Sequence, residues 1–212
     1  MSNLSITTIQ VGPIQTNCYI VVNEDTKRAL VFDPGEDAER IYAYLNHNQL
    51  SVEAILLTHG HFDHITGVAQ LVRLTNAKVY MSEQEKELAM NETMNCSMMF
   101  GHSVTLCPDF LVKNQESLEF LNTTVKVIAT PGHTKGSVCY YIEDNQLLIS
   151  GDTLFFESYG RTDFPTGSDV QLEQSIEMLL STLPYDVVVY PGHGIKTTIG
   201  YERKNNPYWN GV

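Results

Sequence analysis

The chain has 212 residues, 42% of them hydrophobic, and its 25 acidic against 13 basic side chains give a formal net charge of −12. That length and apolar share suit one domain over residues 1–212 with a sizeable core. The acidic balance and the lack of a basic stripe argue against a nucleic-acid partner, and no apolar run approaches the roughly 20 residues needed to cross a bilayer.

The N-terminus, Met1-Ser2-Asn3-Leu4-Ser5-Ile6, has neither a charged leader nor an apolar signal segment, so a cytoplasmic protein is expected. Strand-like runs come first, at Ser5 to Gln10, Cys18 to Asn23 and Ala29 to Asp33, bounded by turn residues such as Gly12-Pro13 and Pro34-Gly35. Helical spacing follows from Asp37 to Asn48, with Ile41, Tyr44 and Leu45 on one face. Val52 to Leu57 reads as a buried strand, Ile65 to Leu74 as a helix, and Lys78 to Met81 as a short strand. Ser82-Glu83-Gln84-Glu85 has the form of a capping box opening another helix. Asn91 to Pro108 has no clean period and is rich in methionine (Met94, Met98, Met99). It reads either as a lid over a site or as a surface loop with gap-filling methionines, and the role of Met94 to Phe100 stays open.

Further strands are expected at Thr124 to Ala129, Ser137 to Ile142, Gln146 to Ser150 and Asp186 to Val189. A helix from about Asp169 to Ser181 carries Leu172, Ile176, Leu179 and Leu180 on its apolar face. This order suggests two packed sheets with helices outside. Cys18 and Cys139 lie in apolar runs and read as small buried hydrophobes, while Cys96 and Cys107 are expected as free thiols.

The chemistry concentrates in Thr58-His59-Gly60-His61-Phe62-Asp63-His64, directly after the apolar run Ala54-Ile55-Leu56-Leu57. Three more ligand-type residues follow strand-like runs of their own: His133 in Thr130-Pro131-Gly132-His133, Asp152 in Ser150-Gly151-Asp152, and His193 in Tyr190-Pro191-Gly192-His193. Loops at the ends of rigid strands can present these side chains around one cleft. Seven imidazoles and carboxylates are more than one tetrahedral ion can use, so the number points to two metal ions. His59 and His61 would face one side of an extended stretch, whereas adjacent Asp63 and His64 do not share that direction easily, so one loop would split its ligands between the ions. Two ions about 3.5–4 Å apart lower the pKa of a shared water from about 16 towards 7, which makes metal-assisted hydrolysis the expected reaction. No serine stands in a Gly-x-Ser-x-Gly context. His47 reads as a solvated helix-end residue, and His102 as incidental or as a substrate contact.

The His59–His64 motif, His133, Asp152 and His193 together resemble the metallo-β-lactamase superfamily in order and setting. The resemblance covers nearly the whole chain and implies an α/β (α+β) fold, an αββα four-layer sandwich of two mixed β-sheets flanked by helices. It implies one divalent ion held by His59, His61 and His133 and a second by Asp63, His64 and His193, with Asp152 bridging. Zinc is the usual ion, with iron and manganese as alternatives, and Asp63 and Asp152 would act with the metal-bound hydroxide. Gly151-Asp152-Thr153-Leu154-Phe155, Gly160-Arg161-Thr162-Asp163-Phe164 and the stretch from His193 to Pro207 are similar to short bacterial glyoxalase II-like hydrolases. Those relatives imply cleavage of a small acyl thioester such as S-lactoylglutathione. Persulfide dioxygenases share the fold but use one iron held by two His and one Asp, for which His59, His133 and Asp152 are the candidates. Lactonase and β-lactamase chemistry remain further alternatives. Three residues are candidates for substrate contact. Arg161 would meet a carboxylate or else pair with Asp163. Lys135 would meet an anionic group or stay solvated, and Tyr159 would touch substrate or line the rim.

Overall fold

The computed structural model describes residues 2–209. The first sheet is built from β1 (Leu4–Val11), β2 (Thr16–Asn23), β3 (Arg28–Phe32), β4 (Ser51–Leu56), β5 (Lys78–Ser82) and β6 (Phe110–Val112), in that spatial order. β1 to β3 are antiparallel neighbours, while β3 to β6 run parallel. The second sheet contains β7 (Ser117–Phe120), β8 (Thr123–Ala129), β9 (Val138–Ile142) and β10 (Leu147–Gly151). A separate two-stranded ribbon, β11 (Leu154–Phe155) with β12 (Ser158–Tyr159), precedes β13 (Val188–Pro191) and β14 (Thr197–Thr198), which complete the second sheet in the order β14-β13-β10-β9-β8-β7.

Residue alternation within the strands creates the layers. All eight residues of β2 are buried, because both faces of the strand are covered. Tyr19 and Val21 point to the space between the sheets, where they join Leu30, Phe32, Val127 and Tyr140. Ile20 and Val22 point the other way, towards Ile41 and Leu45 of α1 (Ala38–His47). The period of two repeats in β9. Val138, Tyr140 and Ile142 face the first sheet, while Cys139 and Tyr141 face Leu172, Ile176, Leu179 and Leu180. The result is the αββα sandwich that the resemblance implied. No helix among the described residues is long and apolar enough to cross a membrane.

Several elements differ from expectation. The helix read over Ile65 to Leu74 is two helices, α2 (Phe62–Ile65) and α3 (Val68–Thr75). The break falls at Gly67, where a Cβ would lie 2.6 Å from the Pro34 carbonyl oxygen, so the chain passes too close to its neighbour for a side chain. The capping box is absent. The short helix α4 (Lys86–Ala89) starts after Glu85 and has no side-chain cap. The Ser82 hydroxyl accepts from the Gln84 amide at 3.3 Å, and Glu85 turns inward instead. The strand placed at Asp186 to Val189 is Val188–Pro191.

α5 (Asp169–Thr182) matches expectation, and Ser168 caps it by accepting from the Gln171 amide. α6 (Ile199–Asn205), with Thr198 as its cap, was not foreseen. All four cysteines are free thiols, with Cys107 exposed and the others buried.

The Met-rich segment is anchored at its middle. Asn95, Cys96 and Ser97 are buried, and the Asn95 side chain donates to the carbonyls of Ala89 (3.3 Å) and Val104 (2.7 Å). Met98 and Met99 are 60% and 68% exposed on a single 3₁₀ turn, so they do not fill gaps in the core.

Candidate metal centre

β4, β8, β10 and β13 deliver their following loops to one edge of the sandwich. The His59–His64 loop comes from the first sheet, and the loops of His133, Asp152 and His193 come from the second. His61 is extended (φ −65°, ψ 149°), and the chain then enters α2. That change of backbone separates Asp63 and His64 from the direction of His59 and His61.

Three imidazole nitrogens converge on one side. His61 Nδ1 lies 2.8 Å from His133 Nε2, which lies 3.2 Å from His59 Nε2. The outer nitrogens of His133 and His59 are occupied, whereas that of His61, Nε2, is buried without a hydrogen-bond partner. His133 Nδ1 is 2.7 Å from the Arg161 carbonyl oxygen and so carries the proton, which leaves its Nε2 lone pair facing the cluster. His59 Nδ1 meets the Thr58 hydroxyl at 3.1 Å.

On the other side, His193 Nε2 lies 3.2 Å from Asp63 Oδ2, and His64 Nε2 lies 3.5 Å from the same oxygen. Asp152 lies between the two groups. Its Oδ2 is 3.6 Å from His133 Nε2 and 3.5 Å from His193 Nε2, and its Oδ1 is 3.4 Å from His64 Nε2. Gly192 permits this approach, since a Cβ there would stand 2.1 Å from Asp152 Oδ1.

The electrostatics split the same way. Burial lowers His59, His61 and His133, and it brings His61 to about 3, so all three are neutral at neutral pH. Burial also opposes charge on His64 and His193, but Asp63 and Asp152 outweigh it and raise both. Burial opposes the charged form of Asp63 too, yet His64 and His193 bring it to about 2. Asp152 is held below the usual carboxylate range in the same manner, chiefly by His64 against the cost of burial.

These residues fit a divalent metal. His64 Nε2 and Asp152 Oδ1 are buried without a hydrogen-bond partner and face one another. Neutral imidazoles and ionised carboxylates at this proximity form the donor set of a borderline cation.

Supporting residues escaped the sequence reading. Asp33, at the end of β3, accepts from the Thr58 amide (2.8 Å) and hydroxyl (2.7 Å) and lies 3.0 Å from His64 Nδ1. An acid closing a buried strand before Pro-Gly was the available signal. Thr16 donates to Asp63 Oδ2 at 2.8 Å. Glu85 is fully buried and accepts from the amides of Gly60 (2.8 Å) and Gly136 (2.7 Å), joining the two loops that carry His59, His61 and His133. Nothing in the sequence marks that role.

A cleft of about 570 Å³ opens above the cluster, with His61, Asp63, His133, Asp152 and His193 at its base. Arg161 and Tyr159 line it. Lys135 is exposed and outside the lining. His102 stacks beside Phe62 with ring centroids 5.8 Å apart, and His47 is exposed at the end of α1.

A four-layer sandwich with a His/Asp cluster at its strand ends defines a class of metal-dependent enzymes. The chain belongs to the metallo-beta-lactamase superfamily, whose family model matches residues 11–193. It is similar to the hydroxyacylglutathione hydrolase GloC of Haemophilus influenzae, with 31% identity over 98% of this chain and 99% of that protein. The crystal structure of the BLEG-1 B3 metallo-beta-lactamase superposes with a TM-score of 0.92 and 41% identity, covering 98% of this chain and 100% of that one. The structure of TTHA1623 in a di-iron-bound form gives a TM-score of 0.86 and 33% identity, covering 95% and 99%. The family places this chain among hydrolases that use divalent metal ions.

Proposed function

We propose that the chain is a dinuclear metallo-hydrolase that cleaves acyl thioesters such as S-lactoylglutathione. The carrying observation is Asp152, with one oxygen 3.6 Å from His133 Nε2 and 3.5 Å from His193 Nε2. In this reading His59, His61 and His133 hold one ion, Asp63, His64 and His193 hold the other, and Asp152 bridges them. When bound, two such ions supply a water acidified towards neutral pH and a Lewis acid for the scissile carbonyl. The neutral imidazoles of His59, His61 and His133 offer lone pairs without first losing protons. In this reading the Asp63 carboxylate, which accepts from the Thr16 hydroxyl at 2.8 Å, would take a proton from the attacking water and return it to the leaving thiolate. The similarity to GloC supports a thioester as the substrate.

Zinc is the proposed ion, and the di-iron form of TTHA1623 makes iron the alternative to test. A small-molecule substrate, no nucleic-acid partner and a cytoplasmic location complete the reading. The four free thiols suit a reducing compartment. The similarity to BLEG-1 favours β-lactam hydrolysis as a second reading.

The test is metal analysis of purified protein, followed by loss of S-lactoylglutathione, turnover of a β-lactam, and oxygen uptake with glutathione persulfide on the same sample. A metal-to-protein ratio near two with thioester turnover is expected. Oxygen uptake by a one-iron protein, or intact thioesters with a hydrolysed β-lactam, would overturn the reading.

A further inference from the structure

The cleft above the cluster is walled by Ile14, Phe62, Phe100, Phe155, Tyr159 and Phe164. Phe62 and Phe100 stack with centroids 4.5 Å apart, so the anchored Met-rich segment contributes one wall. The volume, about 570 Å³, leaves room beside a thiol carrier for an acyl group bulkier than three-carbon lactoyl. Arg161 is the one arginine or lysine among the described lining residues. Its guanidinium is already engaged. Nε and Nη2 each lie 2.7 Å from one oxygen of Asp163, and the group stacks 3.8 Å above the Phe164 ring. Glutathione carries two carboxylates, and away from the proposed ions an acidic chain of net charge −12 gives such an anion no general attraction.

We propose that the cleft selects its substrate through an apolar, bulky acyl group, and that Asp163 sets this selectivity by occupying Arg161, the one arginine or lysine among the described lining residues and so the side chain suited to grip an anionic thiol carrier. The inference rests on the thioester reading above and names the substrate class within it. Arg161 and Asp163 are 54% and 65% exposed, so the pair competes with a substrate carboxylate by several-fold, not by orders of magnitude. The aromatic wall acts on the other half of the substrate. Each methylene buried against it improves binding by about four-fold.

The test is a matrix of thioesters on metal-loaded protein. Lactoyl, butyryl and phenylacetyl groups are each joined to glutathione and to uncharged N-acetylcysteamine. On either thiol, kcat/KM is expected to rise at least about ten-fold from lactoyl to phenylacetyl. With the acyl group fixed, glutathione is expected to give no advantage over N-acetylcysteamine. Asp163→Asn frees Arg161 and should raise the glutathione-to-N-acetylcysteamine ratio of kcat/KM by about three- to five-fold, through KM. Adding Arg161→Gln should return the ratio to the wild-type value. A flat acyl series, a wild-type preference for glutathione, or an unchanged ratio in Asp163→Asn overturns the inference while leaving thioester hydrolysis standing. Failure of wild-type protein to cleave any thioester in the matrix refutes the thioester reading itself.

Discussion

Replacing Glu85 by Gln tests how the two histidine loops are held together. The carboxylate accepts from Gly60, between His59 and His61, at 2.8 Å, and from Gly136, three residues after His133, at 2.7 Å. An amide keeps one acceptor oxygen and turns an N–H towards the other donor. The lost charge-assisted bond and the stranded amide each cost about 1–3 kcal/mol. Part of that is offset, because burial holds the Glu85 carboxyl above its ordinary pKa and Gln relieves the buried charge. A net loss of about 2 kcal/mol follows, which for a chain of this length lowers the melting temperature by about 4–8 °C. Loosened ligand loops should also weaken metal binding by about 10–100-fold. Thermal unfolding by circular dichroism and metal titration against a competing chelator read the two effects. Glu83→Gln, at the exposed neighbouring acid, is the control and should stay within about 0.5 kcal/mol of wild type. A Glu85→Gln protein with unchanged melting temperature and metal affinity would refute the positioning role.

Asp152→Ala should abolish binding of the second ion and most activity, as read by metal-to-protein ratio and thioester turnover; retention of both ions would refute the bridging role. Asp33→Asn removes the charge facing His64 Nδ1 at 3.0 Å and should weaken the ion at Asp63, His64 and His193 by about 10–100-fold, more than the ion at His59, which Asp33 reaches through Thr58, a difference two-step metal titration resolves. The pH dependence follows from the protonation of the metal-free protein. His64 and His193 are raised by their carboxylate neighbours, so protons compete for these ligands and affinity at their site falls as pH falls. His59, His61 and His133 are lowered and already neutral, so their site should vary little across the same range. Metal stoichiometry measured between about pH 8 and about pH 6 should therefore drop from near two towards near one, and parallel loss of both ions would contradict this.

The layers of the fold were legible because buried strands are long apolar runs and α5 has a clean helical face. The loops carrying the seven ligand-type residues were legible for a related reason, since each follows such a run. Other features were hidden because long-range contacts decide them. The break between α2 and α3 depends on Gly67 meeting Pro34, which no local pattern announces. Glu85 looked like part of a cap because its spacing from Ser82 is that of a capping box, yet burial beneath Gly60 and Gly136 fixes its role. β14 has two residues paired with β13, too few to show a period. Arg161 shows both sides. Its side chain pairs with Asp163, one of the two readings its sequence context allowed, while its backbone carbonyl orients His133, which no residue type could signal.

Anomalous diffraction from metal-loaded crystals tests the central claim most directly. Two peaks about 3.5–4 Å apart are expected, one among His59, His61 and His133 and one among Asp63, His64 and His193, with Asp152 between them. A single peak at full metal loading would contradict the dinuclear site.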